Sequence, residues 1–252
     1  MSHRIGLATG GAGFIGSHIC DGLVELGDGE VRAVDGALKL NLGCGPHAPA
    51  GWVNVDSALG ARLAHLPRAS KWAHALGLVR LEWPRGIVIH DLRRTFPWSD
   101  GSASAVYSSH TLEHLSREEG RRFLRECYRV LGCGGVCRIV VPDLARVVGE
   151  YTAGRLGAER FVEALDVLAC DERDGALKRR VAPLARFPHK CMYDEKALVA
   201  TMTACGFDAY VRPPFESAIN DVHVVELQSR ACEAAIVEGV KKRMARNSAR
   251  RP

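Results

Sequence analysis

The feature that most constrains this chain is Leu38-Lys39-Leu40-Asn41-Leu42-Gly43-Cys44-Gly45. A short apolar run, Leu38 to Leu42, passes straight into a tight glycine turn. Eleven residues past Gly45, a second apolar run, Val53-Asn54-Val55, closes on Asp56. A strand, a glycine turn and an acid closing the next strand predict a nucleotide-type site at the carboxyl edge of a parallel sheet. Without a Cβ, the glycines let backbone N–H groups come close to a ligand. The acid can accept both hydroxyls of a ribose.

The same alternation continues along the chain. Ile87 to Leu92 reads as a third buried strand, with Asp91 near its end. Ala103 to Tyr107 reads as a fourth and runs into Ser108-Ser109-His110-Thr111-Leu112-Glu113-His114-Leu115. Ser116 to Leu131 is the clearest helix: Ser116 and Glu119 have capping-box spacing, and Phe123, Leu124, Cys127, Val130 and Leu131 share one face. Gly134-Gly135 is read as its stop. Val136 to Val141 follows as a fifth strand, then Pro142-Asp143. Residues 144–190 read as a helical insertion. A helix over 195–205, closed by Gly206, precedes two last strands, Phe207–Arg212 and Val222–Gln228. This pattern predicts an α/β, Rossmann-like doubly wound sheet.

Leu-Asn-Leu-Gly-Cys-Gly followed by Gly51-Trp52-Val53-Asn54-Val55-Asp56 resembles the cofactor motif of class I S-adenosylmethionine-dependent methyltransferases. More narrowly, it resembles the type 11-like bacterial group found among sugar and cell-surface polysaccharide genes. The resemblance is dense over 38–151. It implies a mostly parallel sheet whose last strand is antiparallel, and S-adenosylmethionine as cofactor. It implies cofactor contacts from Leu42, Gly43, Cys44, Gly45, Asp56 and Ser108, with Asp91 and Leu92 beside the adenine. It places the reacting methyl group and the acceptor at the 108–115 run. His110, His114 and Glu113 are therefore the candidate catalytic residues, and Asp143, His189 and Tyr193 the candidates for the acceptor pocket. The expected acceptor is a small or saccharide-linked molecule.

The N-terminus carries a second motif. Arg4 to Ala8 is strand-like, and Thr9-Gly10-Gly11-Ala12-Gly13-Phe14-Ile15-Gly16 contains G-x-G-x-x-G. Ile15, Ile19, Leu23 and Leu26 recur at helical spacing, and Val31–Val34 ends in Asp35. The segment resembles the opening βαβ unit of extended short-chain dehydrogenases, the NAD-dependent sugar-nucleotide epimerases and dehydratases. That family's Tyr-x-x-x-Lys is absent from the chain, and one βαβ unit lacks the half-sheet that holds nicotinamide. Residues 1–36 are therefore read as an appendage on an edge of the main sheet that binds no NAD. Residues 37–230 form the methyltransferase-like domain, with insertions at about 57–86 and 144–190, and 231–252 a basic tail. In the first insertion Arg62, Arg68, Lys71, Arg80 and Arg85 outnumber Glu82. That suits a lid facing an anionic substrate, or equally a solvated helical face. An NAD-dependent enzyme and a catalytically silent binding protein of the same fold remain the alternatives.

Charge excludes one class of partner. The net charge is +5, but Lys241, Lys242, Arg243, Arg246, Arg250 and Arg251 are concentrated at the end. Setting those six aside from the 34 basic residues leaves 28 against 29 acidic ones, which is no nucleic-acid-binding body. The nine cysteines are odd in number, scattered, and include no C-x-x-C pair, as expected of reduced thiols in a cytoplasmic protein. The uncharged run Ile5–Cys20 is too short and glycine-rich for a membrane span or a good signal peptide.

Methyl transfer from a sulfonium asks the protein chiefly to bind, align and dehydrate the reactants. A base is needed only when the acceptor must lose a proton, as a hydroxyl does. His110 and His114, four apart, would share a helix face. No third ligand is evident beside them, so no metal is expected.

Overall fold

In the computed structural model, residues 38–64, 83–84, 86–167 and 188–242 are described. The expected βαβ unit over 1–36, the first insertion's Arg68, Lys71, Arg80, Glu82 and Arg85, and residues 168–187 of the second insertion lie outside them.

Seven strands form one sheet in the order β3-β2-β1-β4-β5-β7-β6. They are β1 (Leu38–Leu42), β2 (Val53–Asp56), β3 (Val88–Ile89), β4 (Ala103–Ser109), β5 (Leu131–Pro142), β6 (Phe207–Val211) and β7 (Ala234–Lys241). The pairs among β1 to β5 are parallel, and β7 runs antiparallel to both β5 and β6. The fold is thus α/β, with a Rossmann-like, mostly parallel sheet and one antiparallel strand.

Alternation along the strands buries both faces. Val106, Cys137, Ile139 and Val237 pack with Phe123 and Leu124 of helix α2 (Arg117–Val130) and with Leu198 and Met202 of α5 (Glu195–Ala204). Their neighbours Tyr107, Val140 and Ile236 face the other way, onto Ile219, Val222, Val225 and Ala231. The predicted capping box of α2 is present: Ser116 Oγ accepts from the Glu119 N–H, and the Glu119 carboxylate accepts from the Ser116 N–H. Short α1 (Leu59–Ala64) follows β2, and α3 (Leu144–Thr152) and α4 (Ala158–Leu165) follow β5.

Several boundaries differ from the sequence reading. The third strand is only Val88–Ile89, because Asp91 draws the chain into a turn by accepting the N–H of Arg93. β5 begins at Leu131, so Gly134-Gly135 lies inside a strand and the helix stops before it. Val222–Gln228 is not a strand. It contributes α6 (Val222–Val225) and the start of α7 (Gln228–Ala231), whose apolar side chains lie on the sheet face. The strand position belongs to Ala234–Lys241, within the stretch read as a basic tail. β7 pairs along its length with β5 on one side and β6 on the other.

Candidate functional site

The site begins where β1 ends. Gly43 and Gly45 have φ of +72° and +59°, a region that suits glycine. A Cβ at Gly43 would collide with the Thr111 side chain. The N–H groups of Gly43 and Cys44 donate to the Val55 carbonyl, at 2.8 and 3.1 Å, which ties the turn to the end of β2. Asp56 completes it. One carboxylate oxygen accepts the Gly45 N–H at 2.9 Å and the other the Ala58 N–H at 2.7 Å. A carboxylate offers about four acceptor positions, so each oxygen keeps capacity for a ligand.

A cavity of about 480 Å³ opens at this carboxyl edge. Gly43, Gly45 and Asp56 line one side, and Asp91 and Leu92 another. His110, Thr111 and His114 approach from the segment after β4. Arg93 grips Asp91 with both Nε and Nη2, at 2.9 and 2.8 Å, and holds its carboxyl down at about 2.

The cavity is cationic in a way the sequence reading missed. Arg62, Arg93, Lys190 and Arg230 line it, against the two acids Asp56 and Asp91. Arg62 was singled out in sequence as one cation of a possible lid. Arg230 was not: it sits in α7, beside the glycine turn, and no spacing in the sequence links it to residue 45. The local cue was hidden because the preceding segment reads as a strand.

The 108–115 run is partly buried and strained at one residue. His110 has φ +52°, uncommon for a residue with a side chain. Its N–H donates to the Val140 carbonyl, its Nε2 lies 3.2 Å from the Arg230 carbonyl, and its Nδ1 lies 3.5 Å from Glu113 Oε1. A carbonyl only accepts, so Nε2 carries the proton. Burial lowers the His110 pKa. Glu113, in the 3₁₀ turn Leu112–His114, is wholly buried, and burial pushes its carboxyl up to about 8. His189 arrives from a distant part of the chain. Its Nδ1 lies 2.8 Å from the Leu165 carbonyl, and its ring centre 4.9 Å from that of His114.

The remaining candidates take other places. Leu42 is core, and Ser108 Oγ donates to the Leu42 carbonyl at 2.9 Å, so neither lines the cavity. Cys44 faces a void of about 10 Å³ behind the turn, and burial pushes its thiol up to about 12. Asp143 caps α3 by accepting the Ala145 N–H. Tyr193 packs in the main core and bridges to Asp143 through its backbone. Neither Asp143 nor Tyr193 borders the cavity.

The segment that builds the cradle is also the segment with relatives. Residues 40–139 match a family described as a methyltransferase domain. This methyltransferase-domain match runs from β1 into β5 and contains Gly43, Gly45, Asp56, Asp91 and the 108–114 run. Among solved structures, the chain is similar to the apo form of the S-adenosylmethionine-dependent methyltransferase SibL, at 16% identity and TM-score 0.42. That alignment covers 90% of this chain and 57% of SibL. A possible histamine N-methyltransferase from Thermotoga maritima shows 15% identity and TM-score 0.36, over 75% of this chain and 81% of that one. An S-adenosylmethionine-dependent methyltransferase from Methanosarcina mazei shows 18% identity and TM-score 0.41, over 75% and 91%. A comparison with curated proteins finds no match. Among the described residues, no helix is long and apolar enough to cross a membrane.

Proposed function

We propose that this protein is an S-adenosylmethionine-dependent methyltransferase acting on a small-molecule or saccharide-linked acceptor. One observation carries the reading: Gly43, Gly45, Asp56 and Asp91 border a single cavity at the carboxyl edge of the sheet, inside the methyltransferase-domain match. The residues fit the cofactor. Gly43 and Gly45 line the cavity at positive φ, where the backbone carries no side chain between it and a ligand, and Asp56 keeps acceptor capacity for a ribose. Asp91 and Leu92 border the same cavity, and in this reading they flank the adenine. When bound, the cofactor supplies an activated methyl group on a sulfonium.

The chain's own residues bind, orient and exclude water. Asp56 is fixed by two backbone N–H groups, so it can accept without reorganising. Arg62, Arg93, Lys190 and Arg230 favour anionic groups on cofactor or acceptor. His110 and His114 border the space left for an acceptor, with the ring nitrogens of His110 already facing Arg230 and Glu113.

The test is calorimetry of the intact chain with S-adenosylhomocysteine and, separately, NAD. Saturable binding of the first and none of the second is expected. Saturable NAD binding with no S-adenosylhomocysteine binding would refute the proposal and favour the dinucleotide reading of residues 9–35. Transfer of labelled methyl groups to candidate hydroxylated, carboxylated and saccharide acceptors then separates an enzyme from a silent binding protein.

A further inference from the structure

The unexplained group in this molecule is Glu113. It is completely buried, yet neither carboxyl oxygen has a hydrogen-bond partner among the described residues. Buried polar groups are nearly always paired, and an exception calls for a physical reason. The surroundings supply one. The ligand atoms of Glu113, His114 and His189 all lie within 4.8 Å of one another. His189 Nε2 is 3.9 Å from Glu113 Oε1.

We infer that Glu113, His114 and His189 form a divalent transition-metal site in the wall of the cavity, which holds an oxygen of the acceptor. This rests on the methyltransferase reading for the acceptor, though not for the metal itself.

Four features support the site. Two imidazoles and one carboxylate form a donor set suited to Zn²⁺, Mn²⁺, Fe²⁺ or Co²⁺ and leave positions open for other oxygens. The tautomer of His189 is set: Nδ1–H donates to the Leu165 carbonyl, which leaves the Nε2 lone pair toward Glu113. Metal-binding histidines are typically oriented in this way. The backbone also clamps the two segments together, since the N–H groups of Lys190 and Cys191 both donate to the Glu113 carbonyl, at 2.8 and 3.1 Å. Finally, His114 lines the cavity, so the site touches the space an acceptor would occupy. Two further groups stand close. Asp166 Oδ2 is 3.9 Å from His189 Nε2, and His110 Nδ1 is 3.5 Å from Glu113 Oε1. Spacing in sequence could not disclose this set, because His189 lies far from the Glu113-His114 pair.

The experiment uses the intact chain, first stripped with chelator. Mn²⁺ is titrated and free metal followed by electron paramagnetic resonance. Co²⁺ is titrated by absorption, where a thiolate charge-transfer band would reveal binding at cysteines instead. One equivalent of each is expected, without the thiolate band. Loss of a supporting partner around a metal typically costs 10–100-fold in affinity, so losing a ligand in Glu113→Gln or His189→Gln should weaken binding by about 100-fold or more. S-adenosylhomocysteine affinity and the melting transition are measured on every variant. They show whether a variant is folded, and failure to bind S-adenosylhomocysteine counts against the methyltransferase reading alone. No stoichiometric metal, a thiolate band, or unchanged binding in both folded variants would overturn the site. Should neither variant fold, an anomalous-scattering map of wild-type crystals grown with Mn²⁺ decides it. A peak between Glu113, His114 and His189 supports the site, and its absence overturns it.

Discussion

Arg138→Met should be among the most destabilising single substitutions in this protein. Arg138 lies on β5, completely buried, directly opposite Glu238 of β7. A guanidinium has five N–H donors, and here all five are used. Nε and Nη2 donate to the two carboxylate oxygens of Glu226, and Nη1 donates to Glu238. The other two reach the carbonyls of Glu216 and Pro213. Both carboxylates are buried as well, and take further bonds from the N–H groups of Phe215 and Ala218 and from Ser217 Oγ. Methionine fills much of the volume but leaves the buried Glu226 carboxylate without a cation, and Glu238 with only Arg212, whose Nε lies 3.6 Å away. Removing one partner of such a cluster costs about 3–5 kcal/mol. That is a large part of the roughly 5–15 kcal/mol that holds a typical domain together. Urea unfolding followed by circular dichroism measures the loss. Adding Glu226→Gln and Glu238→Gln to Arg138→Met removes the stranded charges, so the triple variant should recover part of the stability. A loss under about 1 kcal/mol for Arg138→Met, well below that expected range, would refute the reasoning. So would a triple variant less stable than the single one.

Three further outcomes are expected. Asp56→Ala removes an acceptor that also braces Gly45, and hydrogen bonds to a charged group contribute about 1.5–3 kcal/mol. Calorimetry should show S-adenosylhomocysteine binding weakened to match, and unchanged affinity would take Asp56 out of the site. Gly43→Ala places a side chain at positive φ and against Thr111, with a backbone cost of about 1–2 kcal/mol. Unfolding and binding measurements should show both stability and affinity reduced, and Thr111→Ala in the same chain should relieve only the collision. Among the described cysteines, mass spectrometry after mild alkylation should find Cys133 and Cys232 modified first, because they are exposed. Cys44, buried with its thiol pushed up to about 12, should resist.

Much of the cradle was legible because its signals are local. Leu38–Leu42 and the Gly43 turn follow from an apolar run meeting residues that tolerate positive φ. The α2 boundary follows from Ser116 and Glu119, three residues apart. The C-terminal half hid its strand for a physical reason. β7 carries Glu238 in its middle, so a reading based on hydropathy discounts a fully buried position, whereas β5 stayed legible around Arg138 because its neighbours are uniformly apolar. The two charges are compatible with the core only because they face each other, and pairing across the sheet has no signature along the chain. Val222–Gln228 shows the converse. Its β-branched residues suggest a strand, but with that position taken by β7 they pack as short helical turns. The metal candidate was missed for the same kind of reason: His189 reaches Glu113 through tertiary docking, outside any motif.

The place of β7 also orders the assembly of the molecule. Its pairing partner on β5 is remote in sequence: Val136 sits opposite Val240. Such distant pairings form late and slow folding, because the intervening chain must be closed first. As the chain is synthesised, β1 to β5 can pair with one another before β7 emerges, but β6 cannot join them. Among the described strands β6 pairs only with β7, so it must wait for Ala234–Lys241 to fill the gap. Until then β5 presents an open, apolar edge, the kind of template on which other chains pair. A stop codon before Ala234 would therefore give more than a slightly shorter protein. It would leave the sheet at five strands, with β6 unable to join it and an aggregation-prone edge on β5.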